Sequence, residues 1–181
     1  IEAQIQALDP DTQFATLGTT QVKALGSAQM AMLTTDQVVA LTTAQAKALT
    51  SNQVAGLDTE QIQAIETSDL AAISAVGIKG LTTAQMEALT SDQVASLATA
   101  QLVALSSKQV SAIETEDLIE LSSAQLRAIS NSAITGLTTE QVASLETDQV
   151  AALTVLQLKA LTTNQMSALT SEQVQSLSTL Q

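Results

Sequence analysis

Residues 33–54, LTTDQVVALTTAQAKALTSNQV, repeat one pattern almost three times. Each unit begins with Leu and continues with two small hydroxyl residues, a variable residue, a Gln and an apolar or small residue. From Leu17 to Leu177, Leu or Ile recurs every eight residues, 21 times, with no insertion or deletion. Self-similarity at a fixed period indicates a repeat protein. With this Leu or Ile as position zero, the unit is L-[T/S]-[T/S]-x-Q-V-x-A, and Gln stands at position four.

A period of eight fits no continuous helix, because eight residues advance the helix by 800° and leave a drift of about 80° per unit. The helix must therefore stop and restart in each unit. The pattern Thr-x-x-Gln supports this, since it is a capping box. In Leu41-Thr42-Thr43-Ala44-Gln45 the Thr42 hydroxyl would accept a backbone N–H at the helix start, and Gln45 would reach back to the N–H of Thr42.

The distribution of charge agrees with this helix polarity. Acidic residues often precede the Gln, in the first helical turn, where the helix dipole favours anions. Five of the six basic residues lie two positions after it: Lys23, Lys47, Lys79, Arg127 and Lys159. On a helical wheel the Gln, the apolar residue, the small residue and the next Leu form one face. We expect the Gln to be buried and to bond backbone groups at the breaks, either locally or in the next coil.

The sequence predicts an all-α solenoid of very short capped helices, one per eight-residue repeat. A helix of five or six residues is far below the roughly 12–15 residues needed for marginal stability alone, so repeats must stack to bury enough apolar surface. Two or three repeats per coil are both compatible with the sequence. The alternative is a β-solenoid with Thr ladders, which the enrichment in Ala, Gln and Leu disfavours.

The site of the cap is open at some repeats. At Glu66-Thr67, Ala98-Thr99, Glu114-Thr115 and Glu146-Thr147 the second residue is the better capping residue, so we expect the cap either to slide by one position or to leave the second hydroxyl a role between coils. We divide the chain into an irregular start or preceding repeat, residues 1–12, and a continuous octapeptide-repeat solenoid, residues 13–181, cut from a longer array. Asp9 followed by Pro10 is typical of a helix start.

The composition limits the function. The chain has 45% apolar residues but one aromatic, Phe14, and it has no Cys, His, Tyr or Trp. A net charge of −12 disfavours nucleic acid and anionic membranes as partners. Asp69 and Asp117 replace the Gln, as do Gly77 and Ala133, but no calcium-loop spacing surrounds them. We therefore predict no catalytic, cofactor-binding or metal-binding residues, no enzymatic activity and no membrane insertion.

The whole chain is similar to the Leu-Thr-Thr-x-Gln tracts of large, acidic, repetitive bacterial surface or secreted proteins, which are described as adhesin-like. The resemblance implies a location at the cell surface or outside the cell, and a structural or adhesive role. We expect a rigid stalk, spacer or filament element that self-associates end to end or side by side. The alternative is a solenoid scaffold that binds a protein or peptide partner through exceptions at the variable positions: Val39, Val103, Ile119, Val155 and Leu156.

Overall fold

The computed structural model describes residues 5–181. This part of the chain holds nineteen α-helices of four to six residues and no strand, which confirms the all-α prediction and excludes the β-solenoid. The helices are α1 Thr19–Lys23, α2 Ser27–Met30, α3 Thr35–Val39, α4 Thr43–Ala48, α5 Ser51–Gly56, α6 Thr59–Ala64, α7 Thr67–Ala72, α8 Ala75–Ile78, α9 Thr83–Glu87, α10 Ser91–Ser96, α11 Thr99–Ala104, α12 Ser107–Ser111, α13 Thr115–Leu118, α14 Ser123–Ala128, α15 Thr139–Ser144, α16 Thr147–Ala152, α17 Val155–Ala160, α18 Thr163–Ser167 and α19 Ser171–Gln175. A 3₁₀-helix, Ile134–Gly136, occupies one repeat, and a π-helix, Pro10–Phe14, precedes α1.

Three repeats make one coil of the solenoid. Each helix packs on the helix 24 residues further along the chain, for example α4 on α7 and α11 on α14. The first stack therefore begins with α1, α4 and α7, the second with α2, α5 and α8, and the third with α3, α6 and α9. We number the coils 1 to 7: residues 17–40, 41–64, 65–88, 89–112, 113–136, 137–160 and 161–181.

One continuous core runs along the solenoid axis. The Leu or Ile at position zero and the apolar residue at position five are buried in nearly every repeat, as in Leu89, Val94 and Leu97. A single repeat buries too few side chains to offset the conformational entropy lost on folding, so each coil depends on the coils beside it.

The first hydroxyl of each pair is the helix cap. Thr34, Thr42 and Thr50 are N-cap residues, and each accepts a hydrogen bond from the backbone N–H of the Gln three residues later. The prediction that the cap slides to the second residue is wrong. Glu66, Ala98, Glu114 and Glu146 keep the N-cap position without a side-chain capping bond.

The extra residue between Leu8 and Leu17 is accommodated in the π-helix. The N–H groups of Phe14 and Ala15 bond the carbonyl groups of Asp9 and Pro10, five residues earlier. Asp9 is the N-cap and Pro10 follows it, as the sequence predicted. Phe14 is fully buried, so this segment packs into the core. Residues 1–4 of the predicted irregular start lie outside the described residues.

Successive coils are in close backbone contact at glycines in position seven. A Cβ added to Gly80 would overlap the carbonyl group of Ser51, and one added to Gly136 would overlap that of Ser107. Both pairs are 29 residues apart, on successive coils of one stack. Glycine at these two places is therefore required by backbone contact between coils.

Candidate functional site

Buried Gln side chains form a ladder between the coils. In Gln93, Oε1 accepts the backbone N–H of Thr90 at 3.1 Å, while Nε2 donates to the carbonyl oxygens of Ile62 at 2.9 Å and Ile65 at 2.8 Å. The first bond closes the helix start of its own repeat. The other two reach carbonyl groups at a helix end in the coil below. The carbonyl group of Ile62 also accepts the N–H of Ile65 at 3.2 Å, whereas that of Ile65 lies beyond the helix end, where helix geometry leaves carbonyl groups without partners.

Fifteen Gln residues make such rungs. In fourteen of them Nε2 bonds a position-zero carbonyl oxygen of the preceding coil, and Gln37 bonds that of Leu8, ahead of coil 1, all at 2.5–2.9 Å. The prediction that the Gln bonds backbone groups at the breaks is confirmed, and the bonds are both local and between coils. The helix starts and the coil stacking are thus stabilised by the same side chains.

Four repeats have no Gln. We call the contact between two successive coils a joint, and the missing rungs fall at two of the joints. Asp69 and Gly77 leave the joint between coils 2 and 3 with Gln85 alone. Asp117 and Ala133 leave the joint between coils 4 and 5 with Gln125 alone. The other four joints have three rungs each. A Gln at position 69 would bond the carbonyl oxygen of Leu41, and a Gln at position 117 would bond that of Leu89. Among the described residues, nothing donates a hydrogen bond to these two oxygens.

The two Asp residues face a hydroxyl group instead of a carbonyl group. Ser91 Oγ donates to Asp117 Oδ1 at 2.5 Å, and the Thr43 hydroxyl faces Asp69 closely enough to lower the pKa of its carboxyl group. Both hydroxyl groups are the second of their pair, so this position does act between coils. Burial raises the pKa of Asp69 above its usual value, the Thr43 hydroxyl opposes this, and the charge of Glu66 adds to it.

An acidic groove lies at the edge where the third stack meets the first, beside the incomplete joint between coils 4 and 5. Its volume is about 620 Å³. We define this acidic groove by Glu87, Glu114, Glu116, Asp117 and Glu140. The four Glu side chains are exposed, whereas Asp117 is 7% exposed at the floor. The groove combines negative charge with the unbonded carbonyl oxygen of Leu89, so it suits a cation with N–H donors.

A basic groove lies at another edge, where the second stack meets the third. Its volume is about 450 Å³, and it is lined by Lys79 and Lys108 with Leu81, Thr82, Thr83, Ala104, Ser106 and Gln109. Both lysines are exposed. Arg127 occupies the same repeat position as Lys79 two coils further along the same stack, so we include it in the basic edge, which is Lys79, Lys108 and Arg127.

The exposed apolar exceptions do not form one surface. Val39, Val103, Ile119 and Leu156 are 47%, 56%, 36% and 63% exposed, and Val155 is half-buried. They lie on three different stacks. Within residues 5–181, no group of three or more acidic side chains has the geometry to hold a metal ion. The helices of this part of the chain are all too short or too polar to cross a membrane.

Repeated helices, a shared core and amide rungs between coils define a class of protein, the α-solenoids built from short repeats. The ALTTAQ repeat family model matches residues 5–43, 62–99, 110–147 and 142–179. The chain therefore belongs to the ALTTAQ repeat family, and residues 40–45 read ALTTAQ. No curated protein matches the chain.

Proposed function

We propose that this chain is a structural segment, a rigid stalk, spacer or filament element whose length increases with the number of coils. The observation that supports this most directly is the Gln ladder. Each coil presents the same carbonyl acceptors to the coil above it, so the mode of stacking is independent of coil number. The proposal assigns the chain no catalytic activity and no cofactor.

The proposed setting is a large surface or secreted protein, as the similarity to adhesin-like repeat tracts implies. An array in which every coil has the same contacts is suited to holding two parts of such a protein at a fixed distance. End-to-end self-association follows from the same geometry, because free carbonyl acceptors of one coil fit the Gln donors of another.

Small-angle scattering tests the extended shape. Helices pack about 9 Å apart, so seven coils would extend about 60 Å, with a radius of gyration of about 20 Å. A compact domain of the same length would have a radius of gyration of about 16 Å. A value near the compact limit for the monomer would overturn the proposal.

Insertions make the test sharper. Duplicating residues 89–112, one full coil, should lengthen the particle by about 9 Å and leave the unfolding temperature unchanged or raised. Duplicating residues 89–108 adds almost as much chain but shifts the repeat register by four residues. This control should lower the unfolding temperature, because the later Gln side chains no longer meet their carbonyl acceptors.

A binding scaffold is the second candidate, and the acidic groove is the observation that favours it. Its cluster of five carboxyl groups differs from the repetitive surface elsewhere. An immobilised chain with an intact helical spectrum that retains no protein partner, from cells that contain its parent protein, would count against this candidate.

A further inference from the structure

We propose that the acidic groove is a docking surface for basic side chains of a second copy of this chain, presented by the basic edge of that copy. The inference rests on the proposed structural function and names the partner for side-by-side assembly. The acidic groove comprises Glu87, Glu114, Glu116, Asp117 and Glu140, and the basic edge comprises Lys79, Lys108 and Arg127.

The floor of the acidic groove lacks a donor that the fold otherwise provides. At a complete joint the position-zero carbonyl oxygen receives a Gln Nε2, as Ile65 does from Gln93 at 2.8 Å. At the joint of coils 4 and 5, Asp117 stands in the place of that Gln, and its carboxylate accepts from Ser91. A carboxylate has no proton to give, so the carbonyl group of Leu89 is left as an acceptor.

Lysine and arginine side chains supply the hydrogen-bond donor that the floor of the acidic groove lacks. An ammonium group has three N–H donors and a guanidinium group has five, and neither accepts a hydrogen bond. Either group can bond a backbone carbonyl oxygen and a carboxylate oxygen together. The exposed Glu87, Glu114, Glu116 and Glu140 around the floor attract the same cation, and charge-assisted hydrogen bonds are stronger than neutral ones.

Charge complementarity points to a second copy as the source of these cations. The basic edge spans coils 3 to 5 and the acidic groove spans coils 3 to 6, with Lys79 and Lys108 flanking Glu87 in sequence and Arg127 lying between Glu116 and Glu140. Two copies placed side by side can therefore bring one basic edge opposite one acidic groove along several coils. Three of the six basic residues of the chain are concentrated on this edge.

The contact is heterologous, because each copy uses two different edges. A copy whose acidic groove is occupied still has a free basic edge, so addition can continue. Such growth produces a sheet-like or ring-like lateral array and leaves the ends of the solenoid free. The net charge of −12 opposes assembly at long range. Salt at 0.1 M largely screens this repulsion beyond about 10 Å.

Reciprocal charge reversal in the full 181-residue chain tests the contact. One variant carries Lys79→Glu, Lys108→Glu and Arg127→Glu, and the other carries Glu87→Lys, Glu114→Lys and Glu140→Lys. By sedimentation velocity the wild type should form concentration-dependent oligomers, each variant alone should be monomeric, and their mixture should form oligomers again, because each edge of one variant is then complementary in charge to the groove of the other. A monomeric wild type at millimolar concentration, or a mixture without oligomers, would overturn the proposal.

The floor of the groove is tested by Asp117→Gln, which supplies the missing rung and fills the acceptor. We expect this variant to fold with an unfolding temperature at or above that of the wild type and to weaken association at least tenfold. Asp69→Gln is the matched control, since it makes the same change outside the groove, and it should leave association unchanged. Equal association of all three chains would overturn the role of the floor.

Binding of a ten-residue lysine peptide tests whether another basic partner, instead of a second copy of the chain, occupies the acidic groove. If it binds the wild-type groove while copies of the chain do not associate, the second copy is the wrong partner. Scattering of the monomer reports the extended shape separately, so a rod-like monomer that never associates would disprove this contact and leave the proposed structural function standing.

Discussion

Ser91 Oγ donates a 2.5 Å hydrogen bond to Asp117 Oδ1, from coil 4 to coil 5. The direction of this bond is opposite to that of a Gln rung, in which the later residue donates to the earlier coil. The Asp therefore keeps one link between coils but leaves the carbonyl group of Leu89 without a donor. Thr43 and Asp69 face each other in the same way at the joint between coils 2 and 3.

Asp69→Gln should stabilise the protein at pH 7 by about 1–2 kcal/mol, because it restores hydrogen bonds to a buried backbone carbonyl group. The gain should depend on pH. Burial raises the pKa of Asp69 above its ordinary value of 3.8, so the wild-type Asp69 contributes most stability below that value. This contribution is lost as pH rises through the raised folded-state pKa.

The advantage of the Gln variant should therefore be largest at neutral pH, should shrink as pH falls through the raised folded-state pKa of Asp69, and should be smallest below about pH 4. Urea unfolding of both chains across this range measures it. Asp92→Asn, at an exposed position of the next coil, is the control and should change stability by less than about 0.5 kcal/mol. A Gln variant less stable than the wild type at pH 7 would contradict the interpretation of Asp69 as a missing rung.

Thr138→Ala should lower stability by about 1 kcal/mol, whereas Thr139→Ala should be close to neutral. Thr138 Oγ1 accepts the backbone N–H of Gln141 at 3.0 Å, and its own N–H donates to Gln141 Oε1 at 2.8 Å. Thr139 is exposed. Thermal unfolding of the two single variants compares the hydroxyl groups directly, and a larger loss for Thr139→Ala would place the cap at the second hydroxyl.

Local chemistry made the helices predictable. The Thr-x-x-Gln capping box and the face shared by Gln, Val, Ala and Leu depend on residues within one repeat, so the sequence shows them. The fixed cap at Ala98 and Glu146 was missed because the Gln side chain can bond the backbone N–H of any N-cap residue, as Gln101 does for Ala98 at 2.7 Å and Gln149 does for Glu146 at 2.9 Å. The position of the cap follows the ladder, whatever the capping side chain is.

The acidic groove and the basic edge were not predictable, because their positions depend on the number of repeats per coil. A period of eight residues permits two or three. Residues 64–70, AIETSDL, and residues 112–118, AIETEDL, are nearly identical and lie 48 residues apart, which suits both numbers. Glu87 and Glu116 line one groove only when three repeats close a coil. The spacing of 28 residues between a Gln and its carbonyl acceptor, as between Gln93 and Ile65, resolves this, and it is a contact that no single repeat contains.

Gly80→Ala should destabilise the protein by about 1–3 kcal/mol, since the added methyl group forces coils 2 and 3 apart where Gly80 meets the backbone of Ser51. Gly80 lies outside α8, Ala75–Ile78, so a loss of stability would come from the contact between coils. Ser144→Ala, at the same repeat position and exposed, should stay within about 0.5 kcal/mol of the wild type in urea unfolding. A neutral Gly80→Ala would show that the coils can separate there at no cost.

The number of rungs at each joint should decide where the solenoid first comes apart. Repeat proteins are stabilised by terms within each repeat and by terms between neighbours, so a weakened joint can uncouple the two halves. Gln125→Ala removes the one rung between coils 4 and 5, which bonds the carbonyl oxygens of Ala95 and Leu97. We expect this variant to unfold in two steps, with residues 17–112 separating from residues 113–181.

Gln149→Ala is the matched change at a complete joint, where Gln141 and Gln157 remain. It should lower the free energy of unfolding by about 1–3 kcal/mol and keep a single transition. Calorimetry separates the two outcomes, and hydrogen exchange shows whether the amides of coil 5 open before those of coil 6. If Gln149→Ala also split the transition, the cooperativity of the solenoid would depend on every rung equally, and the two incomplete joints would have no special role.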